Sequence, residues 1–294
     1  MLIEEKLKQI KLSSAQEVVA NFLRTERANI KEMTIKELAD KTYTSTTTII
    51  RLAKKLGFEG FEELKDNYVK EVLYLDTHFS DIDANKPFYR DDNIQRISSK
   101  ITALAKEALD DTLTLIEHDS LQKAIRIMKD SETIHIAAIS YCLLLGQMFK
   151  LDMARIGKNV NICDINGEEL FMPAVMKQND CVIFLSYSGQ IEKLCQLAKI
   201  VKEKGIKIIV VTSLGDNELR KYADVLMHIS TREKLYSKIA GYSNEYSIKL
   251  ILDILYSCYF GTDYEANYEK KIKISQDGEV GRHASLDIMK EDEA

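Results

Sequence analysis

The sequence predicts an all-α N-terminal region followed by an α/β domain, a five-stranded parallel sheet with helices on both faces. Three observations carry this. Apolar residues recur at helical spacing through the first 76 residues. From Thr133 onward the period changes to five short, continuously apolar runs. Each run is divided from the next by a helix-length or loop-plus-helix segment, the pattern of strands buried on both faces.

The N-terminal region reads as helix throughout. Ser14 to Glu17 has capping-box spacing ahead of Val18, Val19, Phe22 and Leu23. Thr34 to Glu37 repeats the device, with Ile35, Leu38 and Ala39 facing inward. Ser45 is a good N-cap for a helix in which Ile49, Leu52, Ala53 and Leu56 form one stripe. Thr46, Thr47, Ile50, Arg51 and Lys54 then face out, and Gly57 ends the helix. A further helix carries Phe61, Leu64, Tyr68 and Val72 on its apolar side.

Residues 76–92 lose periodicity and contain one of only two prolines, which predicts a hinge. A long helical pattern spans about Asn93 to Lys129, broken near His118 and Asp119. The strands follow at 133–139, 159–163, 181–186, 207–211 and 224–229, and a helix over about Ser243 to Phe260 closes the domain. The expected organisation is a helical domain over 1–76, a linker over 77–92, the sheet domain over 93–274 and a disordered tail over 275–294.

The two helices between Thr34 and Phe58 point to DNA. From Lys41 to Lys55 there are four basic residues and no acidic one, and the second helix opens on a run of threonines. Those β-branched residues are poor helix formers with no packing reason to cluster. Hydroxyls at a helix start and cations along its face suit base edges and phosphates, the layout of a helix-turn-helix. Thr46, Thr47 and Arg51 are the expected base contacts, and Ser45, Lys54 and Lys55 the phosphate contacts. A plain surface helical hairpin would share the apolar spacing but would not account for the threonines.

The net charge of −5 does not oppose this reading, because residues 1–76 are balanced at 13 basic and 13 acidic. The whole excess lies in the second domain, compatible with specific binding and unfavourable to indiscriminate nucleic-acid coating. No apolar run approaches the length that crosses a bilayer, and the first residues lack a signal peptide's apolar centre, so a cytoplasmic protein is expected. Cys142, Cys163, Cys181, Cys195 and Cys258 sit among apolar neighbours without metal-ligand spacing, which reads as reduced, buried thiols and no metal.

In an open parallel sheet, ligands bind beyond the carboxyl ends of the strands. There the third strand leads into Ser186-Tyr187-Ser188-Gly189-Gln190, the first offers Ser140, and the fourth offers Thr212 and Ser213. Two hydroxyls, a glycine and helix N-terminal amides make a cradle for an anion such as a phosphorylated small molecule. Taken singly, each serine is more simply a helix cap; three loops converging on one sheet edge put a binding site on an equal footing with that reading.

The order of these motifs, ArgLeuAlaLysLysLeuGlyPhe ending a helix-turn-helix and SerTyrSerGly in a following sheet domain, resembles the RpiR/MurR family of bacterial transcription regulators. Their second half is a sugar-isomerase (SIS) domain. The resemblance covers about Ser14 to Tyr259. It implies a homodimeric or tetrameric regulator of sugar uptake or catabolism genes that binds an inverted-repeat operator in double-stranded DNA and senses a phosphosugar. Ser45 to Lys55 would be the recognition helix, and Ser140, Ser186, Ser188, Gly189 and Gln190 would line the effector pocket. The chain departs from the family at Tyr43, where the turn usually holds glycine. It also departs at Ile136 and Ala138, which replace two glycines, at Ile191, which replaces a threonine, and at Asn244 and Glu245, where Ser and Arg are common.

Two other functions are open to such a chain. An SIS domain that only dimerises would leave a DNA-binding architectural protein. A phosphosugar isomerase would need a base in reach of the sugar, commonly Glu or His. His135 and His228 fall in strands, and His78, His118 and His283 in linkers or tail. Glu168, Glu169 and Glu245 read as solvated helix-start carboxylates. No acid and base pair convincingly, so no catalytic residue and no cofactor is expected.

Overall fold

Helix α1 (Ile3–Gln9) opens the chain and is held by a residue far along it. The Glu71 carboxylate accepts the Ile3 and Glu4 amides at 2.6 and 2.9 Å, capping donors that the first turn leaves unpaired. The computed structural model describes residues 3–77, 82–163 and 170–281, with Leu286 and Ile288. His78, Glu168, Glu169, His283 and most of the expected tail lie outside the described residues, as do residues 78–81 at the start of the expected linker.

Helices α2 (Ser14–Glu26), α3 (Ile35–Lys41), α4 (Thr46–Leu56) and α5 (Phe61–Thr77) complete the N-terminal bundle. Val19, Leu23, Ile30, Leu38, Ile49, Leu52, Leu56, Leu64 and Tyr68 are each no more than 2% exposed. Burial of a Leu or Ile side chain at such a position contributes about 1.5–3 kcal/mol relative to exposure. The Tyr68 hydroxyl, buried with them, donates to the Leu23 carbonyl at 3.0 Å. The capping box of α2 is built on Ser13 and Gln16, one residue before the expected pair, because Gln16 must stand third in the helix to reach back. That of α3, on Thr34 and Glu37, is as read from the sequence.

Helices α6 (Ile94–Thr114) and α7 (His118–Asp130) lead into the sheet. The break falls at 115–117, just ahead of His118 rather than on it. Strands β1 (Ile134–Ala138), β2 (Val160–Cys163), β3 (Cys181–Ser186), β4 (Lys207–Ser213) and β5 (Val225–Ile229) are all parallel, in the order β2-β1-β3-β4-β5. Helices α8 (Tyr141–Ala154), α9 (Met172–Val175), α10 (Glu192–Glu203) and α11 (Tyr242–Phe260) cover it.

The period of two separates the faces cleanly. Ile134, Ile136, Ile183, Leu185, Ile209 and Val211 pack toward α7, α8 and α11. Val182, Phe184, Ile208 and Val210 pack toward α10. Three of the five cysteines are buried, but Cys142 is half-buried and Cys258 exposed. The apolar stripe of α11 steps from Leu255 to Tyr259, which leaves Cys258 outside.

Helix α12 (Tyr264–Gly278) carries order past Ser275, where the sequence shows no periodicity. The rings of Tyr256, Phe260, Tyr264 and Tyr268 meet successively at 5.9, 5.3 and 6.1 Å, tilted, then edge to face, then stacked, a ladder that runs from α11 into α12.

Candidate functional site

The first candidate surface is α4. Ser45 is its N-cap, its hydroxyl accepting the Thr48 amide at 3.2 Å. Ile49, Leu52, Ala53 and Leu56 are buried against the bundle, so the helical period turns the other face outward. Ser45, Thr47, Ile50, Arg51, Lys54 and Lys55 are exposed and Thr46 is half-buried. The Lys55 ammonium lies on the Lys11 carbonyl, so part of its donor capacity is already used.

The turn before α4 is held by hydroxyls and by backbone shape. Thr42 donates to the Leu38 carbonyl at 2.7 Å and pairs with the Thr44 hydroxyl at 2.9 Å. Tyr43 takes the left-handed conformation, φ +51°, and is 97% exposed. A tyrosine thus makes the bend by adopting the backbone that glycine would.

The second candidate lies at the carboxyl ends of β1 and β3. With order β2-β1-β3-β4-β5, the chain reverses its direction of travel across the sheet between these strands, the topological switch point where a crevice opens. Ser140 stands on one side at φ +59°, exposed, with no side-chain cap bond to α8. Ser186 to Gln190 stand on the other. Ser186 is 1% exposed and its hydroxyl accepts the Gly189 amide at 3.2 Å. The half-buried Ser188 accepts the Gln190 amide at 3.3 Å. Both hydroxyl protons stay available to an acceptor.

Gly189, at φ +61°, is required by contact: a Cβ there would sit 2.1 Å from Asn217 Oδ1. Asn217 is buried and donates to Thr212 Oγ1 at 3.3 Å, and Thr212, wholly buried, reaches the Tyr187 carbonyl at 3.4 Å. The Ser213 amide donates to the same carbonyl at 3.1 Å. Thr212 and Ser213 therefore brace the back of the loop, one strand away from the crevice.

One family departure, Ile136, has a local compensation, and another, Ile191, has none. Ile136 projects into space left by Gly146 of α8, where a Cβ would lie 2.7 Å from its Cγ2. Ile191 precedes α10 and gives it no side-chain cap.

Sequence reasoning missed Glu233. Its buried carboxylate accepts the Asn244 amide at 3.1 Å and the Ser243 amide, capping α11, and meets Lys238 Nζ at 2.7 Å. Tyr187 bridges to it, its hydroxyl donating to the Glu233 carbonyl at 2.8 Å and accepting the Glu233 amide at 2.9 Å. Burial and the neighbouring Glu233 hold the Glu245 carboxyl above its usual range. A lone glutamate in a charged loop carries no sequence signal for such a cap.

The histidines lie elsewhere. His135 meets Asp180 at 3.1 Å; both residues sit at the amino-terminal side of the sheet, away from the crevice. His228 Nδ1 lies 3.3 Å from the Ser213 carbonyl, and burial, then Arg220, holds its imidazole below the usual value.

Comparison with known proteins decides the lineage. The model of the helix-turn-helix domain of the rpiR family matches residues 1–72, and that of the SIS domain matches residues 127–255. The chain belongs to the rpiR family. It is 24% identical over 265 residues to an uncharacterised HTH-type transcriptional regulator of Clostridium perfringens, covering 90% of this chain and 94% of that one. Its fold is similar to Vibrio vulnificus NanR complexed with ManNAc-6P, with a TM-score of 0.59 at 18% identity over 95% of this chain and 100% of the other. It is also similar to the sugar isomerase domain of an RpiR transcription factor from Sphaerobacter thermophilus. There the TM-score is 0.56 at 12% identity, over 62% of this chain and 99% of that one. Among the described residues, no helix is long and apolar enough to cross a membrane.

Proposed function

We propose that the protein is a cytoplasmic transcription regulator of sugar uptake or catabolism genes whose grip on DNA responds to a phosphosugar in the β1/β3 crevice. The carrying observation is the outward face of α4, where Thr47, Arg51 and Lys54 are exposed while its apolar stripe is fully buried. Thr46, Thr47 and Arg51 read base edges, and Ser45, Lys54 and Lys55 lie on phosphates. Ser140, Ser186, Ser188, Gly189 and Gln190 form the effector cradle, with Thr212 and Ser213 bracing it. The expected partition into a reading domain (1–76), a linker (77–92), a sensing domain (93–274) and a tail (275–294) serves this division of labour. The relative that carries ManNAc-6P supports the class of effector, not its identity.

The working unit is a homodimer. Tyr141, Leu144, Met148 and Leu151 form an exposed apolar stripe along α8, spaced three, four and three residues, the seam that a second copy would cover. Two α4 helices then meet half-sites about 34–36 Å apart or a multiple of that. The route from crevice to reading head runs through Tyr187 and the 231–241 loop to Asn85 at the linker. Asn85 Oδ1 accepts the Lys234 amide at 2.6 Å and its carbonyl accepts the Ile239 amide at 2.9 Å. A coupling of about 1–3 kcal/mol along it is enough to change operator occupancy.

A second reading, in which the SIS domain only dimerises, is favoured by one observation. The Gly189 and Gln190 amides are already satisfied by Ser186 and Ser188. Fluorescence anisotropy on an operator selected by the protein, titrated with hexose, amino-sugar and pentose phosphates, separates the two. One of these shifts operator affinity by tenfold or more in the wild type and not in the Ser140→Ala/Ser188→Ala variant; no response to any of them establishes the dimerisation reading.

A further inference from the structure

Among the described residues, four helices end in the same pair of backbone bonds, and one of them breaks the rule of composition. At the end of α4 the Phe58 amide donates to the Ala53 carbonyl and the Gly57 amide to that of Lys54. After α8 the pair is Lys158 to Met153 and Gly157 to Ala154; after α10 it is Ile206 to Val201 and Gly205 to Lys202. This is the Schellman closure, whose pivotal residue must be left-handed. Gly57, Gly157 and Gly205 supply it at φ +97°, +75° and +75°. After α3 the bonds are Thr44 to Ala39 at 2.9 Å and Tyr43 to Asp40 at 3.2 Å, and the pivot is Tyr43.

A bulky side chain is strained in that conformation, and glycine is not. Packing offers no compensation, since Tyr43 is 97% exposed and its hydroxyl makes no hydrogen bond among the described residues. Strain that stability does not explain is a mark of function. Tyr43 stands two residues before Ser45, at the entrance of the helix assigned above to the DNA groove.

We propose that Tyr43 is a DNA-contacting residue, its phenol hydroxyl donating to a phosphate oxygen flanking the half-site and fixing the angle at which α4 enters. This rests on the DNA-reading role of α4. A phenol is a neutral donor, so it positions without releasing a counterion and without reading a base.

The test uses the full chain and a duplex selected by the wild type from a random 30-bp library. If the wild type selects no duplex, the DNA-reading role fails before any variant is measured. Given a selected duplex, Tyr43→Gly should keep or raise the melting temperature while weakening binding about tenfold. The loss should be equal on the selected and on unrelated duplexes, with an unchanged salt slope, and Tyr43→Phe should weaken binding in the same sequence-blind way. Tyr43→Asn, which tolerates the left-handed backbone, serves as the second variant should the glycine protein fold poorly. Wild-type affinity in a folded Tyr43→Gly or Tyr43→Asn protein overturns the proposal, as does a loss confined to the selected duplex.

Discussion

Serine and threonine crowd both the start of α4 and the ends of β3 and β4, and the two regions use them differently. On α4 they stand on a helix whose rigidity comes from its opposite face, so Thr47 and Arg51 are exposed without supporting anything beneath them. In the loop after β3 the hydroxyls also build the loop: Ser186 and Ser188 satisfy its own amides, and Thr212 with Asn217 fills the space behind it. A helix separates recognition from stability by periodicity, whereas a turn at a sheet edge must obtain both from the same few residues. The first region should therefore lose binding without losing stability, and the second should lose them together.

The largest effect should follow Gly189→Ala. The new Cβ would collide with Asn217 at a backbone angle that disfavours any side chain. Strain and overpacking together should cost at least about 2 kcal/mol in urea unfolding. An unchanged unfolding midpoint would show that the loop is not braced as described. Arg51→Ala is the opposite case: it should leave thermal unfolding unaltered while removing about 1–3 kcal/mol of operator binding and relaxing selectivity at one base pair. Retention of wild-type affinity and selectivity would disprove the docking of α4.

Ser45→Ala tests the boundary between the two behaviours. The cap bond to Thr48 makes this residue structural, and its exposure makes it a phosphate contact. Loss of the cap should destabilise the helical bundle by about 1 kcal/mol. If DNA affinity falls in proportion to the unfolded fraction and no further, the hydroxyl contributes only as a cap.

How much of this was legible in the sequence follows the same division. Each of the five strands and the inner and outer faces of α4 could be read, because period two and period 3.6 are local signals. The Ser186 to Gln190 loop could be read because its position after a strand and before a helix is fixed by the alternation of elements. Its interior could not. Thr212 looked like a ligand because sequence places it at a strand end but does not say which side of the loop it supports. Ile136 stood out only as a departure from the family's glycine, because its partner Gly146 lies ten residues away on α8. Glu233 and Glu71 were invisible as helix caps, since each caps a helix from a distance that no capping pattern spans.

The smallest predicted effect again sets the two regions apart, through pH. His228 lies on β5 with Nδ1 3.3 Å from the carbonyl of Ser213, a residue that braces the crevice loop. Burial and the nearby Arg220 hold its imidazole below the ordinary value of 6.5. A histidine depressed in the folded state binds its proton more readily when unfolded. Its contribution to stability is therefore present above pH 6.5 and is lost as the pH falls below it. Urea unfolding of the sensing domain should weaken from pH 7 toward pH 5.5, and His228→Asn, which retains a donor for the Ser213 carbonyl, should flatten that decline. Direct readout by α4 contains no histidine, so operator binding by folded protein should follow this curve only where the effector is present. An equal decline without effector would place the titrating group on the reading head and undo the separation of the two regions.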